Sequence, residues 1–353
     1  MPDEGTALGP RYRALALQTR CDAINTCTDR AAARAQMLAS IARIGREVAA
    51  SKAFVGGDLR LVVLPEYVIT GYPLGESVAE WADKAALVLD GPEYAAFARI
   101  AQGNDLYLAG NAYEIDAHFP GLYFQTSFVI DPSGHVALRY RRLNSMFAPT
   151  PHDVWSRYLD IYGLEAVFPV ARTPIGNLAA IASEEILYPE IARCLAMRGA
   201  EIFVHSSAEI GSPRATHKFI AKAARAIENM AYVISANTGG MTGQALPMAA
   251  TDGDSAIIDH QGQVLAQSGH GPTMTAFAAI DLNALRHERR RPGMNNYLAR
   301  QRFELFAETY ARLGSQPANA LLDPQGGVTV PGRAHFKDTQ AAIIARLIAD
   351  SRL

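Results

Sequence analysis

Met37, Ile41, Ile44 and Val48 recur three or four residues apart. That spacing lays one apolar stripe along a helix and predicts that its stripe faces a core. "ALALQT" (14–19) before it reads as a short strand. "LRLVVLPE" (59–66) after it is a continuous apolar run, a buried strand ended by Pro65, which cannot donate a ladder hydrogen bond. A helix is expected near Glu93 to Gln102, then a strand in "LYLAGNAYEI". "QTSFVID", "PSG" and "HVALRY" predict a hairpin turning between Asp131 and Gly134.

The second half repeats this rhythm. "LAAIAS" (178–183) reads as a strand, and Pro189 and Gly199 suit the start and the end of the next helix. "EIFVHSS" is a strand, and Ile220, Ala224, Ile227 and Ala231 predict another helix with that stripe inward. "YVISAN" and "DSAIIDHQGQVLAQ" supply further strands, the last pair turning at Gln261-Gly262. Strands and helices alternate with hairpins mixed in, which predicts an α/β layered protein with mixed sheets. After about Leu285 the strand rhythm stops. The expected division is therefore 1–285 as the main domain and 286–353 as a C-terminal extension packing on the core or on a neighbouring subunit. In that extension "NNYLARQRFELFAETYARL" predicts a helix, "GSQPANALLDPQGGVTVPGRA" an extended stretch, and "DTQAAIIARLIAD" a final amphipathic helix.

Bulk properties narrow the function. The 353 residues are 49% hydrophobic and 19% charged with a net charge of -2, so the chain can bury a large core and lacks the basic excess of a nucleic-acid binder. Cys21, Cys27 and Cys194 are too few and too irregularly spaced for a disulfide scaffold or a zinc site, so neither metal nor cofactor is expected. The first twenty residues carry Asp3, Glu4, Arg11 and Arg13 and no apolar signal core, and no run is long enough to cross a bilayer. A cytoplasmic protein without membrane contact is the expectation.

The chemistry gathers where strands end. Glu66 ends "LVVLPE", Arg142 follows the hairpin in "YRR", and Ser183 ends "LAAIAS". Strand ends on one edge of an α/β sheet converge on a ligand site. Ser183 sits on a strand–turn–helix platform, "IASEEILYPEIARCLAMRGAEIFVHSS", with Glu184 and Glu185 behind it. No glycine frames it as in Gly-x-Ser-x-Gly. His152, His205 and His217 are the histidines available to activate it, and none has a spacing that demands that role.

These motifs together resemble the nitrilase, or carbon-nitrogen hydrolase, superfamily, and most of all its aliphatic-amidase branch. "LPEY" resembles the segment carrying the family's glutamate base, and "YRR" its Tyr-Arg-Lys. "YPEIARCLAMRGAEIFV" resembles the stretch after its nucleophilic cysteine, and "ARAIENMAYVISAN" and "GDSAIIDHQG" its later helix and strands. The resemblance runs from Arg13 to Asp281. It implies a four-layer α-β-β-α sandwich with a C-terminal extension, a small amide or nitrile as ligand, and assembly into homodimers or higher oligomers.

The triad departs from the pattern. The resemblance keeps Glu66, puts Arg142 at the lysine, Ser183 at the cysteine, and Thr150 at a second glutamate that Asp153 replaces only if its loop shifts. Tyr67, Thr150, Glu184 and Tyr188 are the expected pocket residues, with Trp155 in support. A thiol ionises near about 8.5 and a carboxylate can activate it, whereas serine enzymes use a positioned imidazole or amine. Arginine holds its proton and cannot shuttle it, though it can stabilise an oxyanion. Cys194 lies about three helical turns beyond the platform. The leading expectation is therefore a protein whose thiol-based amidase or nitrilase chemistry is lost or greatly altered, a pseudoenzyme or a repurposed pocket. The alternatives are an amidohydrolase using Ser183 with Glu66 as base, and a structural subunit of an active paralogue.

Overall fold

The computed structural model describes residues 11–210, 216–313 and 316–353. Asp3 and Glu4, on which the reading of the N-terminal stretch leans, lie outside them, as do Gly314 and Ser315 of the extended stretch.

The chain opens with β1 (Arg11–Ala16), the short β2 (Cys21–Asp22) and α1 (Arg30–Val55). β3 (Leu59–Val63), α2 (Val78–Ala85) and α3 (Pro92–Asn104) follow, then β4 (Tyr107–Ile115), β5 (Tyr123–Ile130) and β6 (Val136–Arg141). α4 (Trp155–Tyr162) leads to β7 (Ala171–Thr173), β8 (Gly176–Ala182), α5 (Pro189–Met197) and β9 (Ile202–Ser206). α6 (His217–Asn229), β10 (Tyr232–Ala236), β11 (Met241–Thr242), β12 (Ala256–Ile258), β13 (Val264–Gln267) and β14 (Phe277–Asp281) complete the strands. Three helices end the chain: α7 (Leu282–Arg290), α8 (Glu304–Arg312) and α9 (Arg333–Ala349).

Two six-stranded mixed sheets form, ordered β14-β1-β3-β4-β5-β6 and β13-β12-β10-β9-β8-β7. β1, β3 and β4 run parallel, as do β8, β9 and β10, and the flanking strands are antiparallel. The inner faces pack on each other: Ala14, Leu61, Val63 and Val129 from the first sheet share one core with Ala180, Val204 and Ile234 from the second. The outer face of the first sheet, with Leu15, Val62, Leu108 and Phe128, is covered by α1, α2 and α3 through Ile41, Ile44, Trp81 and Phe97. Ile191 and Leu195 of α5 and Ala226 of α6 close the second sheet. The result is the α-β-β-α sandwich that the resemblance implies. α1 buries its stripe of Met37, Ile41, Ile44 and Val48, begins where the Asp29 side chain accepts from Ala32 N–H, and stops at Gly56. The expected hairpin forms between β5 and β6, closed by Gly134 N–H to Asp131 C=O at 2.9 Å with Gly134 at φ 88°.

Three expectations need correction. α6 does not bury its apolar stripe: Ile220 is 59% and Ile227 38% exposed, while Lys222, Arg225 and Asn229 are buried. Polar partners decide this orientation, since Lys222 pairs with Glu209 and Arg225 Nε donates to Ile186 C=O at 2.9 Å. Ala231 lies beyond the helix end. The single helix expected over 295–313 is only α8, because turns occupy 295–303, where the Asn296 side chain bonds Arg289 and Arg291 carbonyls. The last helix starts earlier than its apolar pattern, at Arg333 just after Gly332.

The division expected at 285 falls inside α7, which buries Leu282 and Leu285. Arg286 binds the Glu201 carboxylate, and Arg289 reaches the carbonyls of Ala200 and Met230. Farther on, Leu321 joins Phe119, Phe124 and Tyr158 in a small apolar cluster. Among the described residues no helix is long and apolar enough to cross a membrane.

Candidate active site

The three strand-end residues come together. Glu66 follows β3, and its N–H bonds Ser207 C=O at 3.2 Å, across to the second sheet. Arg142 follows β6, and Ser183 is the first residue past β8. All three are buried and line one cavity of about 440 Å³ together with Tyr67, Glu184 and Lys218. Ser183 has φ 49°, in the left-handed region that a residue with a side chain rarely enters. Strain held at a strand-to-turn junction is a mark of functional sites. The histidine below supports this turn. His205 Nε2 lies 2.8 Å from Ser183 C=O and Nδ1 2.8 Å from Ser235 Oγ. A carbonyl only accepts, so Nε2 carries the proton and Nδ1 accepts from the serine hydroxyl. Burial holds the His205 pKa well below the ordinary 6.5, and the ring is neutral. It braces the Ser183 backbone and does not touch its hydroxyl. His217 is exposed, and the His152 ring packs near Trp155.

Arg142 is the hub of the carboxylates. Its Nη1 donates to Gln125 Oε1 at 2.5 Å and lies 3.4 Å from Glu66 Oε1; its Nη2 pairs with Glu184; its Nε donates to Asn144 C=O at 2.6 Å. All three guanidinium nitrogens are thus engaged by the protein. Burial alone would lower its pKa, but Tyr67 and then Glu66, Glu184 and Glu185 around it outweigh burial and raise it. Arg142 therefore acts as a fixed cross-brace, with four of its five N–H donors turned to protein partners. Glu66 is likewise held, by Arg142 and by the Gln125 side-chain amide. Glu185 points inward and accepts from Tyr140 Oη and from the N–H groups of Leu143 and Asn144. Burial pushes its pKa up to about 7, against the pull of Arg142 and these donors.

Thr150 and Tyr188 lie elsewhere. They line an adjoining cavity of about 560 Å³, which shares Glu184 with the first. The Thr150 N–H and hydroxyl both donate to Asp153 Oδ2 at 2.8 Å, so Asp153 closes the turn over 151–154 and does not replace the second glutamate.

The three thiols avoid the cavity. Cys21 is buried against Tyr67 C=O at 3.1 Å, and burial pushes it up to about 12. Burial also raises Cys194, on α5. Among the described residues no cluster of three metal-ligating side chains forms.

Lys218 is the residue that the sequence reading missed. It is the second residue of α6, and its Nζ lies 3.1 Å from Ser183 Oγ and 3.4 Å from Ser207 Oγ. Burial, helped by the charge of Lys222 nearby, lowers its pKa from the ordinary 10.5 against the pull of Glu66 and Glu209. A signal was present: Lys218, Lys222, Arg225 and Asn229 repeat at helical spacing, a polar stripe beside the apolar one. The arrangement can hold a small ligand carbonyl or amide between a strained hydroxyl, a carboxylate and an amine.

Comparison with known proteins agrees with this fold. The description "Carbon-nitrogen hydrolase" fits residues 17–290. The chain is 26% identical over 251 residues to formamidases of Bacillus anthracis and Bacillus cereus, covering 70% of this chain and 69% of theirs. Among solved structures it is similar to Saccharomyces cerevisiae Nit3, of the nitrilase superfamily, with TM-score 0.62 and 17% identity over 82% of this chain and 96% of that one. An amidase from Nesterenkonia sp. superposes with TM-score 0.59 and 20% identity, over 86% of this chain and 97% of that one.

Proposed function

The chain belongs to the carbon-nitrogen hydrolase family, and from that membership we propose that it keeps a pocket for a small amide or a related carbonyl compound while the thioester chemistry is gone. One observation carries this reading: the strained turn at the cavity presents a hydroxyl, Ser183, and all three thiols lie away from it. The cavity suits a ligand of a few heavy atoms with one carbonyl and one amino group. Support for that ligand class comes from the relatives: two are formamidases, and the amidase from Nesterenkonia sp. AN1 was captured with butyramide and with acrylamide added at its active-site cysteine.

Acrylamide distinguishes binding from thiol chemistry. Calorimetry should detect saturable binding of butyramide and of acrylamide, weakened by Ser183→Trp, which fills the cavity. Intact-mass spectrometry after acrylamide treatment should show only the slow adducts of ordinary thiols. A rapid stoichiometric adduct on one cysteine that blocks butyramide binding would put a working thiol in the pocket and end the proposal.

A further inference from the structure

We infer that Lys218 is the general base for Ser183, and that this pair makes the pocket an acyl-transfer site for small amides and esters. The inference rests on the pocket proposed above and adds a reaction to it.

The geometry comes first. Lys218 Nζ stands 3.1 Å from Ser183 Oγ, within reach of a direct proton transfer. Among the described residues no carboxylate comes within ion-pair distance of Lys218, whereas Lys222, one turn on, is bound to Glu209. Glu66, the expected base, is held by Gln125 and Arg142. Arg142 keeps its proton and has every nitrogen engaged. Of the ionisable groups lining the cavity, Lys218 is the one bonded to the Ser183 hydroxyl.

The helix is built to hold that amine in place. Thr216 caps α6 by accepting from Phe219 N–H at 3.0 Å, and its hydroxyl also reaches Glu209. Arg225 Nε bonds Ile186 C=O, in the same turn that begins at Ser183. Helix and turn are therefore fixed to each other two turns away from Lys218. Burial, helped by Lys222, favours the neutral amine against the pull of Glu66, Glu209 and Glu184, and a serine hydroxyl needs an amine or imidazole base where a thiol would accept a carboxylate. Ser183 and Lys218 thus make a nucleophile–base pair, with Arg142 as a brace beside them.

The reaction closes in atoms and protons. The neutral Lys218 amine takes the Ser183 proton as Oγ bonds to the carbonyl carbon of the amide. The resulting ammonium returns that proton to the leaving nitrogen as the C–N bond breaks, releasing ammonia and leaving an ester on Ser183. Water then attacks the ester, Lys218 takes its proton and passes it to Oγ, and a carboxylic acid leaves.

The test uses p-nitrophenyl acetate on the full chain. Acid-quenched protein is mapped by mass spectrometry for an acetyl group on Ser183 that hydroxylamine removes, as it removes an ester and not a lysine amide. The wild type should acylate at Ser183, at a rate that rises with pH through one ionisation below that of free lysine. Lys218→Met and Lys218→Arg should each lose about 100-fold or more, the usual range for a general base. Arginine keeps the charge and cannot give up the proton, so wild-type labelling in Lys218→Arg would overturn the assignment. So would a flat pH profile in the wild type, which needs no variant to fold, or an adduct found only on lysine. Butyramide binding is measured in the same wild-type samples. Binding without acylation overturns this inference and leaves the pocket; loss of both removes the pocket reading as well.

Discussion

Ser183 shows how much one backbone angle tells. At φ 49° its side chain costs roughly 1–2 kcal/mol relative to glycine, which enters that region freely at some entropic loss in the unfolded chain. We predict that Ser183→Gly is more stable than Ser183→Ala by roughly 0.5–1 kcal/mol in urea unfolding. Equal stability, or a more stable alanine variant, would mean that the turn carries no such strain. Glu185 gives a second test at this scale. Its pKa is raised by burial from the ordinary 4.5 to about 7, so the folded protein holds a proton that the unfolded chain has lost across that window. Its contribution is fully present below the unfolded value and disappears as pH rises through the folded one. Wild type should therefore lose stability relative to Glu185→Gln between about pH 5 and about pH 8, read from urea midpoints. A constant difference across that range would contradict the raised value. Both residues could be named from the sequence, but neither the angle nor the burial could, because each arises from contacts with β6, β9 and the loop after β6.

At the scale of elements, α6 separates what periodicity shows from what packing decides. Two stripes lie along it, one of Ile220 and Ile227 and one of Lys218, Lys222, Arg225 and Asn229. Hydrophobicity alone selects the first for the interior, and the structure buries Lys222, Arg225 and Asn229 of the second, because Glu209 and the Ile186 carbonyl wait there. The choice depended on partners distant in sequence, which a single helix does not display. Lys222 is fully buried against Glu209, so Lys222→Met leaves that carboxylate unpaired and should cost about 3–5 kcal/mol. Ile220→Ser, on the exposed stripe, should stay within about 0.5 kcal/mol of wild type. Chemical denaturation of the two variants decides it, and the reverse order would restore the apolar stripe to the core. α1, by contrast, was legible, since its stripe packs against apolar partners such as Val62 and Leu108.

At the scale of the whole molecule, the layered fold followed from the alternation of buried strands with amphipathic helices and from motifs in a fixed order. The convergence of Glu66, Arg142 and Ser183 followed from their places at strand ends. The members of the site that came from an adjoining layer did not. Lys218 enters from a helix after β9, and Thr150 turns away because Asp153 claims its donors. The central claim is that a serine-based pocket stands where this family's thiol chemistry would be. The most direct test is a crystal structure of the protein soaked with butyramide. We expect the amide, or an acyl group left from it, at Ser183 Oγ, bordered by Glu66 and Lys218. A cavity that stays empty at saturating butyramide, or an amide bound only elsewhere on the molecule, would contradict that claim.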